Sequence, residues 1–217
     1  MIKRIVGMYY SPTGETANMT ERLVEYILAG LCDDVRSDIS VECFDIRDAD
    51  NLPELDNETL AIIGMPVHVG KIPLPAIKAL KKVAGGKAMT IGIVSFSGRS
   101  YGNALYELKE YCSDRGFIPI GAGAFVLYAG PRRRQSPEGE PAMDIRTMSE
   151  FAKAASAKVE RLGGCEIEGL QIKPAPLEVK GKMPIHKISK ISPKAAAIAQ
   201  NAMDKLAFGR RESEWFL

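Results

Sequence analysis

The chain has 217 residues, 46% of them hydrophobic and 26% charged, with a formal net charge of +2. That length and apolar content support one substantial core plus a small appendage, and exclude two large independent domains. The charge balance argues against a nucleic-acid-binding surface, because the mild basic excess sits in residues 165–217, where nine Lys and Arg face six Asp and Glu.

In chain order, residues 2–10, "IKRIVGMYY", are the first apolar run. The run is far too short to span a bilayer, carries Lys3 and Arg4, and has no secretory core behind it, so the expectation is a cytoplasmic protein with no membrane span. A helix is predicted over residues 15–31, with Leu23, Val24, Ile27, Leu28 and Leu31 on one stripe. Further strands are predicted at residues 41–46, 59–67, 89–96 and 117–127, alternating with helices at 74–84, 103–115 and 142–162. Near-continuous apolar strands separated by helical stretches are the pattern of βαβ units. The fold class expected is α/β, an open doubly wound parallel sheet of five strands over residues 1–164.

Residues 165–217 read as a basic extension. A Lys- and Pro-rich strap leads to a helix with Ser192 as N-cap, Pro193 at its first position and Gly209 stopping it. That helix carries an apolar stripe, and the chain closes on Trp215, Phe216 and Leu217. Such a surface needs cover, either from its own domain or from a second subunit in a homodimer. Cys32, Cys43, Cys112 and Cys165 stand singly, which suggests neither a metal site nor a disulfide framework.

The junction between the first strand and helix carries the most chemistry. "YYSPTGETANM", residues 9–19, sets hydroxyls around one glycine with no lysine or arginine. A tight turn there places backbone N–H groups at the positive end of a helix, an anion nest. Gly14 permits the turn, and Ser11, Thr13 and Thr16 can add hydroxyl donors. Without the lysine of a nucleoside-triphosphate loop, a terminal monophosphate is the better match. A plain helix cap after a glycine turn would use the same residues.

The loop resembles the phosphate loop of flavodoxin-like proteins, [ST]-x-T-G-x-T, matched at Ser11, Thr13, Gly14 and Thr16 with Glu15 between. "GMPVHVGKIPLPAIKAL" after the third strand resembles the second FMN loop of quinone-reductase-like and anaerobe members of that family, and "VSFSGRSYGNALYELKEYCSDRGF" resembles the third. The nearest likeness is to the flavodoxin domain of anaerobe flavodoxin/iron–sulfur fusion proteins, over about residues 1–165. The two-cluster ferredoxin motif of those proteins is missing after Pro193, so no iron–sulfur cluster is carried over. The resemblance implies a flavodoxin-like sheet in the order 2-1-3-4-5 with FMN as cofactor.

A flavin ring needs flat side chains on its faces and backbone groups at its polar edge. The resemblance places these in Pro66, Val67, His68, Val69 and Gly70, and in Phe96, Ser97, Gly98, Arg99 and Tyr101. Tyr101 is the first stacking candidate, Phe96 the second and His68 the third, and each could instead be a packed loop residue. Lys71 and Arg99 could stabilise a reduced flavin or a phosphate of a second substrate, or be solvated charges. Arg132, Arg133 and Arg134 could grip a phosphorylated nicotinamide cofactor or an acidic partner.

Three functions compete on this reading. An electron carrier would pass electrons between redox partner proteins, a ferredoxin among them. An oxidoreductase would take hydride from NAD(P)H. A scaffold would keep the fold without the cofactor. No catalytic residue and no metal ligand is assigned.

Overall fold

A computed structural model describes residues 2–48, 51–97, 100–127, 144–163, 166–167, 170–171, 174–184 and 213–217. The five predicted strands form as β1 (Arg4–Tyr9), β2 (Ser40–Asp45), β3 (Thr59–Pro66), β4 (Met89–Phe96) and β5 (Ile118–Val126). Helix α1 (Glu15–Gly30) follows β1, and a single turn not foreseen, α2 (Asp33–Arg36), precedes β2. Helices α3 (Leu74–Leu80), α4 (Ala104–Asp114) and α5 (Ile145–Gly163) complete the set. Asp144 starts α5 by accepting the Thr147 N–H at 3.2 Å.

Strands β1 to β5 pair in parallel in the order β2-β1-β3-β4-β5. Parallel neighbours need crossovers, and the crossover helices cover both faces, which is why β3 is buried from Thr59 to Met65. On one face Leu23 and Ile27 of α1 and Phe151 of α5 pack on Ile5, Ile62 and Ile93. On the other, Ile77 of α3 and Leu108 of α4 pack on Val6, Ile63 and Val94.

The sheet has one strand more than the five expected. Two short strands, β6 (Glu166–Ile167) and β7 (Leu170–Gln171), pair with each other, whereas β8 (Glu214–Phe216) adds antiparallel to β5 as the sixth strand of the main sheet. Side chains alternate along a strand. Trp215 accordingly meets Phe151 with ring centroids 5.8 Å apart, and Leu217 packs on the same face. Phe216 packs on the opposite, α3/α4 face. Within residues 174–184, Leu177 and Val179 are buried in that same α3/α4 cluster. The predicted helix over 192–209 lies outside the described residues. None of the described helices is long and apolar enough to cross a membrane.

Candidate functional site

Because β1, β3 and β4 run parallel, the loops leaving their C-terminal ends gather along one edge of the sheet. From β1 the chain turns outward to β2, then returns to place β3 on the other side of β1. Such a reversal opens a crevice between the two strands, where ligands of open α/β sheets bind.

The first loop supplies the helix start. Gly14 is the N-cap of α1 in the left-handed region, at φ 84°, and a Cβ there would have no neighbour within 4 Å. The intrahelical ladder begins with the Asn18 N–H donating to the Gly14 carbonyl at 3.0 Å, so the N–H groups of Glu15 and Thr16 precede it. The Ala17 N–H donates to Ser11 Oγ at 3.0 Å, and Ser11 is buried beneath the turn. Thr13 is exposed, with its hydroxyl 3.5 Å from the Glu15 carboxylate. The turn is open above Gly14 and presents the N–H groups of Glu15 and Thr16.

Thr16 does something other than expected. Its side chain is buried and its Oγ1 lies 2.8 Å from Ser95 Oγ, so the hydroxyl ties α1 to the end of β4. At the Gly14 turn Thr16 therefore presents its backbone N–H and not its hydroxyl. A cation missing from the loop arrives from the end of β2, where the Arg47 guanidinium donates to the Ser11 carbonyl at 3.2 Å while Asp45 holds it by 2.9 Å and 2.6 Å hydrogen bonds.

The second loop is a tight hairpin. His68 and Lys71 exchange backbone hydrogen bonds of 2.9 Å and 3.1 Å around Val69 and Gly70, at φ 57° and 69°. Two successive positive φ values make a type I′ turn, which a β-branched residue rarely enters. Val69 nevertheless sits there, 58% exposed, and His68 beside it is also exposed. Val67 donates its N–H to the Ser95 carbonyl at 2.9 Å, and the Ile72 N–H donates to the buried Glu107 carboxylate of α4 at 3.0 Å.

Gly70, one of the residues that the resemblance places beside the ring, has the third loop as its near neighbour. A Cβ on Gly70 would stand 3.3 Å from the Gly102 Cα, and one on Gly102, at φ 57°, would stand 2.6 Å from the Gly70 carbonyl oxygen. The Asn103 N–H then donates to that carbonyl at 2.9 Å. The two loops are locked together through two glycines.

In the third loop, Phe96 is buried in the core under the loop, which removes it as a stacking surface. It meets Tyr101 edge-on, with centroids 5.6 Å apart and planes at 63°. Tyr101 is half-buried, and its hydroxyl donates to the Glu214 carboxylate at 2.5 Å. Burial first, and then that hydrogen bond, push the phenol well above its ordinary range. Pro66 ends β3, and Ser97 is exposed beyond β4. Gly98, Arg99 and Arg132 to Arg134 lie outside the described residues. No cluster of His, Cys, Asp or Glu among the described residues could hold a metal ion.

Sequence reading missed Ser95, Arg47, Glu107 and Glu214. Only Gly102, in "SYGN", carried a visible turn signal. No family model matches the chain, and no curated protein matches its sequence. Among solved structures, the apo form of an NADH:FMN oxidoreductase superposes with a TM-score of 0.51 at 14% identity, covering 72% of this chain and 89% of that one. The chain has a flavodoxin-like fold. A flavodoxin from the domain Archaea also superposes, with a TM-score of 0.49 at 16% identity over 72% of this chain and 99% of that one. So does the Fusobacterium nucleatum flavodoxin bound to flavin mononucleotide, at 0.47 and 13% over 74% and 98% respectively.

Proposed function

We propose that the chain binds FMN across the β1/β3 crevice and transfers electrons to and from a redox partner protein. The observation that carries this reading is the Gly14 turn, whose open N–H groups at the start of α1 lie beside two further loops at the same sheet edge. The backbone N–H groups of Glu15 and Thr16, with the Thr13 hydroxyl, would hold the phosphate. The Glu15 carboxylate, exposed and able to swing outward, would leave only its N–H to the anion. Residues 66–70 and Tyr101 would flank the ring. When bound, FMN accepts electrons from a donor and returns them to an acceptor.

The chain's own part is to fix that ring and leave an edge open. Val69 and His68 are exposed at the hairpin tip, where a protein partner or a second substrate would approach. A small iron–sulfur protein of the ferredoxin type, which gives and takes electrons through its cluster, suits the partner role. Residues 165–217 act as an extension of the flavin domain.

The visible spectrum of the purified protein is the test. A yellow protein that releases FMN on denaturation supports the cofactor, and a colourless one that binds no added FMN rejects it. Anaerobic bleaching by NADPH at a catalytic rate would favour an NAD(P)H-dependent oxidoreductase over a carrier.

A further inference from the structure

We propose that Glu214 is a positioning residue for Tyr101, so that the C-terminal edge strand is a working part of the ring-binding loop. The proposal rests on the flavin reading for its ligand, and on the geometry of the extension for everything else.

The Tyr101 hydroxyl reaches Glu214 across 113 residues of sequence, at 2.5 Å. Glu214 is held in place by the strand that carries it. Its partner in β5 is Ala124, and the next two pairs are Gly123 with Trp215 and Ala122 with Phe216. The Val126 N–H donates to Ser213 Oγ at 3.2 Å. Alternation along β8 lays the exposed Trp215 ring against Phe151 and packs Leu217 on the α1/α5 face, and leaves Glu214 on the face of Phe216 and Tyr101.

A second contact comes from an earlier part of the same extension. The Lys182 N–H donates to Asn103 Oδ1 at 3.3 Å, and Gly181 lies so near α4 that a Cβ on it would stand 2.6 Å from the Tyr106 Cβ. The extension thus touches the third loop on both sides of Gly102, at Tyr101 and at Asn103.

An exposed loop tyrosine ordinarily samples several rotamers, and a ligand that stacks on it must freeze one. Here one edge of the ring is fixed by Phe96 and the hydroxyl by Glu214. The rotamer is chosen before a flavin arrives. Burial and the carboxylate both favour the neutral phenol, which keeps the donor in place through the neutral pH range.

The experiment compares Glu214→Ala, Glu214→Gln, Tyr101→Phe and the Glu214→Ala/Tyr101→Phe pair in the full chain. Flavin dissociation constants, bound-flavin fluorescence and amide exchange of residues 100–103 in the flavin-free protein are the readouts. Glu214 is exposed, so its replacement leaves the core intact. Glu214→Ala should weaken FMN about fivefold, and riboflavin equally, since the effect lies at the ring and not the phosphate. Fluorescence and exchange at 100–103 should both rise. Tyr101→Phe should match it, the pair should be no worse than either, and Glu214→Gln, which keeps an acceptor, should stay near wild type. Wild-type affinity, quenching and exchange in Glu214→Ala would overturn the proposal. If the wild type binds no flavin, the FMN reading fails, and exchange alone decides: faster exchange in Glu214→Ala upholds the positioning, and unchanged exchange removes it.

Discussion

The hydroxyls of Thr16 and Ser95 lie 2.8 Å apart in the buried seam between the first turn of α1 and the end of β4. Both residues are buried, and this contact gives each hydroxyl a partner. Replacing Thr16 with Val keeps the shape and orphans Ser95, which should cost about 1–3 kcal/mol of stability. Adding Ser95→Ala should recover part of that loss. Urea unfolding of the two single variants and the double variant checks the coupling, and strictly additive losses would contradict it.

Thr13 behaves differently because it is exposed at the turn. Thr13→Ala should leave stability within about 0.5 kcal/mol and weaken FMN roughly tenfold, through one lost hydrogen bond to a charged group. Riboflavin, which has no phosphate, should bind the variant as it binds the wild type. Parallel fluorescence titrations with the two ligands provide the comparison.

The contact of Gly70 with Gly102 leaves no room for a methyl group. Gly102→Ala adds a Cβ 2.6 Å from a backbone oxygen at a positive φ, so the second and third loops must separate. A loss of about 2 kcal/mol is expected, together with weakened FMN binding. A thermal melt that matches wild type would show that the two loops are not packed this way.

Val69 invites the opposite change. Its φ of 57° suits Asn far better than Val, and Val69→Asn would create the Asn-Gly pair that type I′ turns favour. Stability should rise by about 1 kcal/mol. If the exposed valine serves electron transfer at the open edge, reduction of a partner protein by the variant should slow while FMN affinity is kept. Calorimetry and stopped-flow reduction measure the two effects.

Alkaline pH should destabilise the fold. Burial, and then the hydrogen bond to Glu21, push Tyr9 from 10.0 up to about 12, and Tyr101 is pushed in the same direction. Burial also takes the Cys112 thiol up to about 12. Each group holds its proton more tightly when folded, so the unfolded chain binds fewer protons as pH rises past 9.0, the ordinary value of the thiol, and then past 10.0, that of the phenols. Their stabilisation is complete below 9.0 and is lost as pH climbs toward about 12. Unfolding free energies at about pH 8 and about pH 11 should differ in that sense, and by less in Tyr9→Phe.

The chain order of the five parallel strands and of α1, α3, α4 and α5 was legible because each is dictated locally, whereas α2 and the edge strand β8 were not foreseen. A run such as "TLAIIGM" buries on both faces wherever helices flank it, and Gly14 must turn where a strand meets a helix. Periodicity alone could not say which strand lies beside which, and the order 2-1-3-4-5 came from the resemblance of the loops. Phe96 and Tyr101 both read as flat side chains at a strand end. Only the packing of α4 over β4 decided that Phe96 turns inward and Tyr101 stays at the edge.

By itself, the sequence determined an α/β chain with a glycine turn where the first strand meets the first helix, because backbone conformation and hydrophobic period are properties of a few adjacent residues. The tertiary structure alone decided that Thr16 spends its hydroxyl on Ser95, that Gly70 faces Gly102, and that Glu214 holds Tyr101. Those partners belong to different crossover units or lie far apart in the chain. They meet only once parallel pairing has brought the C-terminal ends of β1, β3 and β4 to one edge and β8 has closed on β5.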